Sequence, residues 1–391
     1  MAAAAPLDTA TPEAVGLHPQ RSAAVRQVLA DAVQRQHIPG AVALIARQGR
    51  IGLFEAIGQQ DPASGTPMRT DSIFRIYSMT KPLVSVAVMM LVERGRLLIS
   101  DPVGRHLPEY ARQRVWTPQG LVAAAPPATV QDLLRHTAGQ TYEFLGNSAV
   151  QQHYAQVNIG ARGRSNADLS RPLAARPLQV QPGRVWAYSR ATDVLGRLVE
   201  AIRGQTLGQF LQAEIFEPLG MVDTGFAVPP AQQHRIVEPF AHDPDGGVPM
   251  PLFDPREVPA LESGGGGQMS TAMDYARFLQ CLRNGGELQG QRLISRHTLA
   301  FMTADHLGSL PIDGTLLPAG HGFGLGFAVR RAAGESPVPG SVGTYHWSGI
   351  GGTSFFVDPA QDLYALLLTQ APNQRDHYRQ LFRNLVYSAL D

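Results

Sequence analysis

Residues 73–93 read Ile-Phe-Arg-Ile-Tyr-Ser-Met-Thr-Lys-Pro-Leu-Val-Ser-Val-Ala-Val-Met-Met-Leu-Val-Glu. The short apolar run at 73–77 predicts a strand. Residues 83–93 are apolar nearly all round, which predicts a buried helix with Gly95 as its stop. Between the two lies Ser78-Met79-Thr80-Lys81. If Ser78 opens the helix, Ser78 and Lys81 stand at i and i+3, adjacent on one face. Pro82 is tolerated because it falls in the first turn. A serine at a helix N-terminus sits in a positive backbone field that favours a developing anion. Its hydroxyl becomes nucleophilic only beside a base. A lysine can be that base if apolar surroundings hold it neutral.

Composition sharpens this reading. The chain holds 33 basic residues, and Lys81 is the only lysine among them. Arginine is effectively never deprotonated, so Lys81 marks the one basic position where arginine would not have served. A chance Ser-x-x-Lys on a solvated helix turn is the bland alternative. The strand–turn–helix context and the uniqueness of the lysine weigh against it. The 391 residues are 44% hydrophobic and 17% charged with net charge +1. That is chain enough for two or three domains, or one large two-lobed fold, and it excludes wholesale disorder. Near-zero charge leaves no electrostatic footprint for nucleic acid or an anionic membrane. No apolar stretch reaches the roughly 18 residues of a transmembrane helix. The start, MAAAAPLDTATPEAVG, lacks a basic region followed by a long apolar one, so no secretory leader is expected. A single cysteine, Cys281, allows no internal disulfide, and a reduced, cytoplasmic location is the expectation. The 12 histidines are scattered without metal-ligand spacing, so neither a metal site nor a cofactor is expected.

Along the chain, 41–47 and 51–57 predict a β-hairpin turning at Gln48-Gly49-Arg50. Residues 101–128 look irregular. Thr129 and Asp132 form a capping-box-like start to a short helix through Leu134. Residues 140–185 look loop-rich, and 227–260 read as a long Pro-dense connection. Helices are predicted at 191–203, 206–217, 272–283 (capped by Ser270 or Thr271) and 375–389. Strands are predicted at 323–330, 343–347, 353–357 and 363–369. Strands at both ends with helices between them predict one sheet built from the two chain ends, with a helical lobe inserted. The boundaries expected are 1–85 plus 255–391 for the sheet-bearing lobe and 86–254 for the helical one.

Two further segments carry chemistry. Tyr188 precedes the helix at 191–203, where its hydroxyl could project into a cleft and relay or accept the serine proton. A packed aromatic with a satisfied hydroxyl is the ordinary alternative. His346-Trp347-Ser348-Gly349-Ile350-Gly351-Gly352 lies between two strand patterns, and its glycines allow close backbone approach to a ligand. The Ile350 N–H, paired with the N–H of Ser78, is a candidate oxyanion hole. No serine lies in G-x-S-x-G, and no phosphate-binding loop is present. His136 reads as a structural residue at a helix end that carries a Gly139 stop.

Ser78-x-x-Lys81, Tyr188 and Trp347-Ser348-Gly349, in that order, resemble the serine β-lactamase and penicillin-binding-protein superfamily. Arg135-His136-Thr137-Ala138-Gly139 and Ser263–Ser270 are similar to its members too. Within it the chain resembles the family VIII carboxylesterases, related to class C β-lactamases. The resemblance runs from about residue 15 to the end. It implies an α+β, β-lactamase-like two-lobed fold, with an antiparallel sheet flanked by helices, an inserted, mostly helical lobe, and the active site at the seam between the lobes. It further implies that Ser78 is acylated, that Lys81 and Tyr188 move its proton, and that Trp347-Ser348-Gly349 flanks the substrate on the strand beside the nucleophile. Penicillin-recognising members carry Asn where Arg190 stands and Lys where Trp347 stands. An indole in place of a cation removes a charge partner for a substrate carboxylate and adds apolar area. The expectation is therefore a carboxylesterase acting on small or short-chain esters. Tyr142 and Phe144 are expected at the pocket wall, and Arg190 near substrate. β-Lactamase, D-amino-acid peptidase, amide hydrolase or acyltransferase activity at the same site stays open, as does a non-catalytic binding role. The partner expected is a small-molecule ester, with no nucleic acid or membrane and no set oligomeric state.

Overall fold

The computed structural model describes residues 5–156 and 161–390. Outside them lie residues 1–4, which open the stretch read for a leader, residues 157–160 of the loop-rich 140–185 stretch, and residue 391.

An eight-stranded antiparallel sheet forms the frame. From one edge its strands are His321–Phe323, Ala328–Arg330, Tyr345–Ser348, Ser354–Asp358, Leu363–Thr369, Gly40–Arg47, Arg50–Asp61 and Thr66–Pro67. The two chain ends meet where Gly40–Arg47 pairs with Leu363–Thr369, in a register that sets Leu44 opposite Leu366. Successive side chains of a strand face opposite sides. Both sides of these two strands are buried, which explains their unbroken apolar runs. Ala43, Ile45, Ala365 and Leu367 face the helices Pro19–Gln34 and Arg375–Ser388. Val42, Leu44, Leu366 and Leu368 face the other way, where the helix Ala272–Arg283 supplies Tyr275, Phe278 and Leu279.

The helix Thr80–Glu93 is buried from Thr80 to Leu91. Each fully buried Val, Leu or Met on it contributes roughly 1.5–3 kcal/mol by leaving water. It packs on the helix Ala191–Arg203, which buries Val194, Leu195, Leu198 and Val199. This pairing places the N-termini of both helices in one site.

Several expectations are corrected. The strand expected at 73–77 is only Phe74–Arg75, paired with Met269–Ser270. Tyr77 then takes a left-handed φ of 44°, costly for a residue with a Cβ, and turns the chain into the helix. Ser78 lies in a 3-10 turn, Tyr77–Met79, two residues ahead of the first residue of the Thr80–Glu93 helix rather than at that first position. The strand expected at 323–330 is a hairpin of two, His321–Phe323 and Ala328–Arg330. The helix expected at 206–217 is interrupted by a wider turn at Gln212–Phe216. The irregular 101–128 stretch contains the hairpin Arg114–Thr117 and Gly120–Ala123. Within 140–185 lie the helices Ala149–Ala155 and Asn166–Ala174, each opened by a capping box, from Ser148 to Gln151 and from Ser165 to Asp168. The helix through Leu134 ends because His136, not Gly139, adopts the first left-handed φ, of 57°. The helix Pro19–Gln34 had no counterpart in the sequence reading.

Candidate active site

Ser78 is held from several sides. Tyr275 donates its hydroxyl hydrogen to the Met79 carbonyl at 2.9 Å. The Ile76 amide bonds the Gln268 carbonyl at 3.0 Å, and Thr80 Oγ1 accepts from the Gln268 amide at 3.2 Å. The serine is thereby fixed at the N-terminal end of the Thr80–Glu93 helix, in its positive field.

Three groups converge on Ser78 Oγ and its neighbour Lys81. Tyr188 donates its hydroxyl hydrogen to Ser78 Oγ at 2.7 Å. Lys81 Nζ lies 3.2 Å from the same oxygen. Nζ also bonds the Tyr142 hydroxyl at 3.0 Å and the Gly265 carbonyl at 2.6 Å. Lys81 is 1% exposed. Burial pulls its pKa down from 10.5 to about 7; Asp193 opposes the fall and Arg190 adds to it. Its Nζ stands 4.6 Å from the Tyr188 ring centre and 5.3 Å from that of Tyr142, which helps the ring faces accommodate the charged form. Burial pushes the Tyr188 and Tyr142 hydroxyls up, so both stay phenols at neutral pH.

His136 stands behind Tyr188. Its ring packs 4.8 Å from that of Tyr188, and its carbonyl accepts from the Ala187 amide at 2.9 Å. Burial, and then Lys81, hold its pKa well below 6.5, so the imidazole is neutral. Its other polar contact is Nδ1 with Ser189 Oγ at 3.3 Å.

The Trp347 segment forms the opposite wall. The Trp347 ring lies 5.3 Å from Tyr188 and 5.2 Å from Phe323. Ser348 ends the strand and pairs with Ser354. Gly349 approaches the turn before Ser78 so closely that a Cβ there would overlap the Ile76 carbonyl oxygen. Glycine is therefore required for the fit. This contact brings the next residue, Ile350, beside the Ser78 turn. The Ile350 amide donates to no acceptor among the described residues. Arg379, from the C-terminal helix, donates to the Gly349 carbonyl and fixes the turn from behind.

Arg190 does not face an open pocket. It is 9% exposed and is spent on two carboxylates: Glu143, to which it donates twice, and Asp193 at 3.4 Å. Its guanidinium also lies 4.8 Å from the Tyr142 ring centre. Tyr142 does more than the wall role expected of it, since it touches Lys81 directly. Phe144 stacks on Tyr142 and is 56% exposed, a position at the rim. Asp193, Gly265, Glu143 and Arg379 were not found from sequence. The Ser263–Ser270 segment was the one available pointer to Gly265.

The beta-lactamase family profile matches residues 25–387. The chain belongs to the beta-lactamase family. Esterase EstB of Burkholderia gladioli is 35% identical to this family member over 366 residues, 88% of each chain. The structure of EstCE1, described as a hydrolase with promiscuous acyltransferase activity, superposes at a TM-score of 0.77 with 28% identity, covering 94% of this chain and 99% of its own. Simvastatin synthase LovD of Aspergillus terreus matches at a TM-score of 0.77, covering 94% and 98% of the two chains; at 24% identity it shares the fold. The architecture expected, a β-lactamase-like fold with a large antiparallel sheet, is the one observed. Among the described residues no helix is long and apolar enough to cross a membrane.

Proposed function

We propose that this esterase-type hydrolase of the beta-lactamase family cleaves small, neutral carboxylic esters through an acyl-enzyme on Ser78. The observation that carries this reading is the meeting of Lys81 Nζ and Tyr188 Oη on Ser78 Oγ, at 3.2 and 2.7 Å. A neutral amine has two N–H bonds and one lone pair. The Gly265 carbonyl and the Tyr142 hydroxyl take the two N–H bonds, which turns the lone pair toward Ser78 Oγ.

In the acylation step Ser78 Oγ attacks the ester carbonyl carbon while its proton passes to Lys81 Nζ. The carbonyl oxygen becomes an oxyanion facing the Ser78 and Ile350 amides. Collapse expels the alkoxide, which leaves as the alcohol after taking a proton from Tyr188; Lys81 returns one to Tyr188. Water then attacks the acyl-serine with the same groups in reverse, releasing the acid and restoring Ser78.

Preference for neutral esters rests on two residues. Trp347 offers an indole where a cation would receive a carboxylate. Arg190 is already neutralised by Glu143 and Asp193. The relatives named as an esterase and a hydrolase support ester chemistry. The test is steady-state hydrolysis of a p-nitrophenyl short-chain ester beside a chromogenic cephalosporin. Fast ester turnover with little cephalosporin cleavage is expected. A preference for the cephalosporin would move the reading to a β-lactamase.

A further inference from the structure

Asp193 is a buried carboxylate that no step above uses. It lies in the first turn of the Ala191–Arg203 helix, 5% exposed, three residues after Arg190. Its Oδ1 accepts from the Gly265 amide at 3.0 Å and from Ser263 Oγ at 2.5 Å. Its Oδ2 accepts from Arg190 Nη1 at 3.4 Å. The other side of the same peptide segment matters for Lys81, because the Gly265 carbonyl accepts from Nζ at 2.6 Å. Packing between Asp193 and Gly265 is tight: a Cβ on Gly265 would come within 2.8 Å of the carboxylate.

We propose that Asp193, clamped by Arg190, is a positioning residue that pins the Gly265 carbonyl onto Lys81 and thereby aims the lone pair of Lys81 at Ser78. This rests on the acyl-serine reading and deepens it. A glycine-rich loop such as Gly264–Gly267 has many backbone conformations. Without an acceptor on its amide side, the carbonyl at Gly265 has nothing to hold it against Nζ. A lysine then free to rotate would spend its lone pair elsewhere.

The same carboxylate acts on Lys81 through charge. The groups facing Nζ are Ser78 on its own turn, His136 and Tyr142 from the segment after the short helix ending at Leu134, Tyr188 and Arg190 before the Ala191–Arg203 helix, and Asp193 on it. His136 is a neutral imidazole, and both tyrosines are phenols. Asp193 and Arg190 remain, and they act on Lys81 with opposite signs: Asp193 favours the ammonium and Arg190 disfavours it. Removing the Asp193 charge should let Lys81 lose its proton at lower pH. Removing the Arg190 charge should make it hold its proton to higher pH.

The experiment measures kcat/KM against pH, from about pH 5 to about pH 9, for a p-nitrophenyl short-chain ester. It compares the wild type with Asp193→Asn, Asp193→Ala and Arg190→Gln, each checked for folding by its melting temperature. Asp193→Asn keeps an oxygen for Gly265 and Ser263, so the acid limb moves down by about one pH unit. Arg190→Gln moves it up. Asp193→Ala removes the anchor and lowers kcat on the order of 10- to 100-fold, with KM changed far less. An acid limb unmoved in both charge variants, or full kcat in a folded Asp193→Ala, overturns the assignment. Should Asp193→Asn not fold, Arg190→Gln alone decides, and no upward shift overturns it. Ser78→Ala runs in the same series. Turnover surviving that change sinks the acyl-serine reading. A dead Ser78→Ala beside an unmoved limb sinks only the role of Asp193.

Discussion

Tyr188 gives its hydroxyl hydrogen to Ser78 Oγ at 2.7 Å, which leaves the serine's own hydrogen for Lys81. Direction of proton flow follows from the environments. Burial pushes the phenol up and pulls the ammonium down to about 7. In the proposed mechanism the lysine therefore serves as the base near neutral pH and the tyrosine as the donor to a leaving alkoxide. Tyr188→Phe keeps the ring packed on His136 and Trp347 and removes only the oxygen. We expect kcat to fall on the order of 10²- to 10³-fold, with the melting temperature nearly unchanged. Stopped-flow and steady-state ester hydrolysis check this. A variant retaining most of its kcat would remove Tyr188 from the proton path.

In the proposed mechanism Lys81 is the position whose charge state sets the rate. Ser78→Ala should abolish turnover, and Lys81→Arg should reduce it by on the order of 10³-fold or more, because a guanidinium does not accept the proton. In the wild type kcat/KM should rise with pH through an apparent pKa near 7, the value to which burial lowers Lys81. Below it the base is protonated and the rate falls. A flat profile from about pH 5 to about pH 8 would contradict this assignment.

The same burial links Lys81 to stability. Folded Lys81 gives up its proton near pH 7, whereas the unfolded chain keeps it to 10.5. Between those values the unfolded state binds more protons, so this residue makes the folded state more stable as pH rises. Lys81→Met removes the dependence. The melting temperature of Lys81→Met minus that of wild type should be greatest near about pH 6 and shrink toward about pH 9. Differential scanning calorimetry at the two pH values measures it, and a difference constant across the range would mean Lys81 is not held neutral by burial.

Gly349 tests the wall beside the nucleophile. A methyl group there meets the Ile76 carbonyl oxygen and Thr353 Oγ1, so the turn carrying Ile350 must move. Gly349→Ala should cost about 1–3 kcal/mol of stability through overpacking. It should also lower kcat by on the order of 10²-fold as the Ile350 amide leaves the developing oxyanion. Chemical denaturation and ester kinetics on the same sample read both. Unchanged kcat would place the oxyanion elsewhere.

What was legible in the sequence is local. Ser78 and Lys81 are three residues apart, and one helical turn brings them together whatever the rest of the chain does. The unbroken apolar runs at 41–47 and 363–369 show because both faces of those strands are covered. Contacts between distant segments left no such trace. Lys81 and Gly265 are separated by 184 positions, and Asp193 reaches Gly265 across 72. Nothing in the helical pattern around Asp193 marks its carboxylate as buried. The resemblance alone placed Arg190 near substrate, and its partner Glu143, 47 residues earlier in a stretch read as loop, gave no local sign of their ion pair. The Pro19–Gln34 helix escaped because its buried face is only Ser22, Val25, Leu29 and Ala32, two small residues among four, and gives little contrast with its polar side. The helices opened by Ser148 and Ser165 were signalled by Ser-x-x-Gln and Ser-x-x-Asp, overlooked among the polar residues around them.

The most direct test of the account is to trap the acyl-enzyme. The protein is mixed with a p-nitrophenyl short-chain ester, quenched in acid within the first turnovers, digested and mapped by mass spectrometry. The account predicts the mass of one acyl group on the peptide carrying Ser78, present in Tyr188→Phe and absent in Ser78→Ala. Ester turnover with Ser78 unmodified at every quench time, or the acyl group on a different residue, would contradict it.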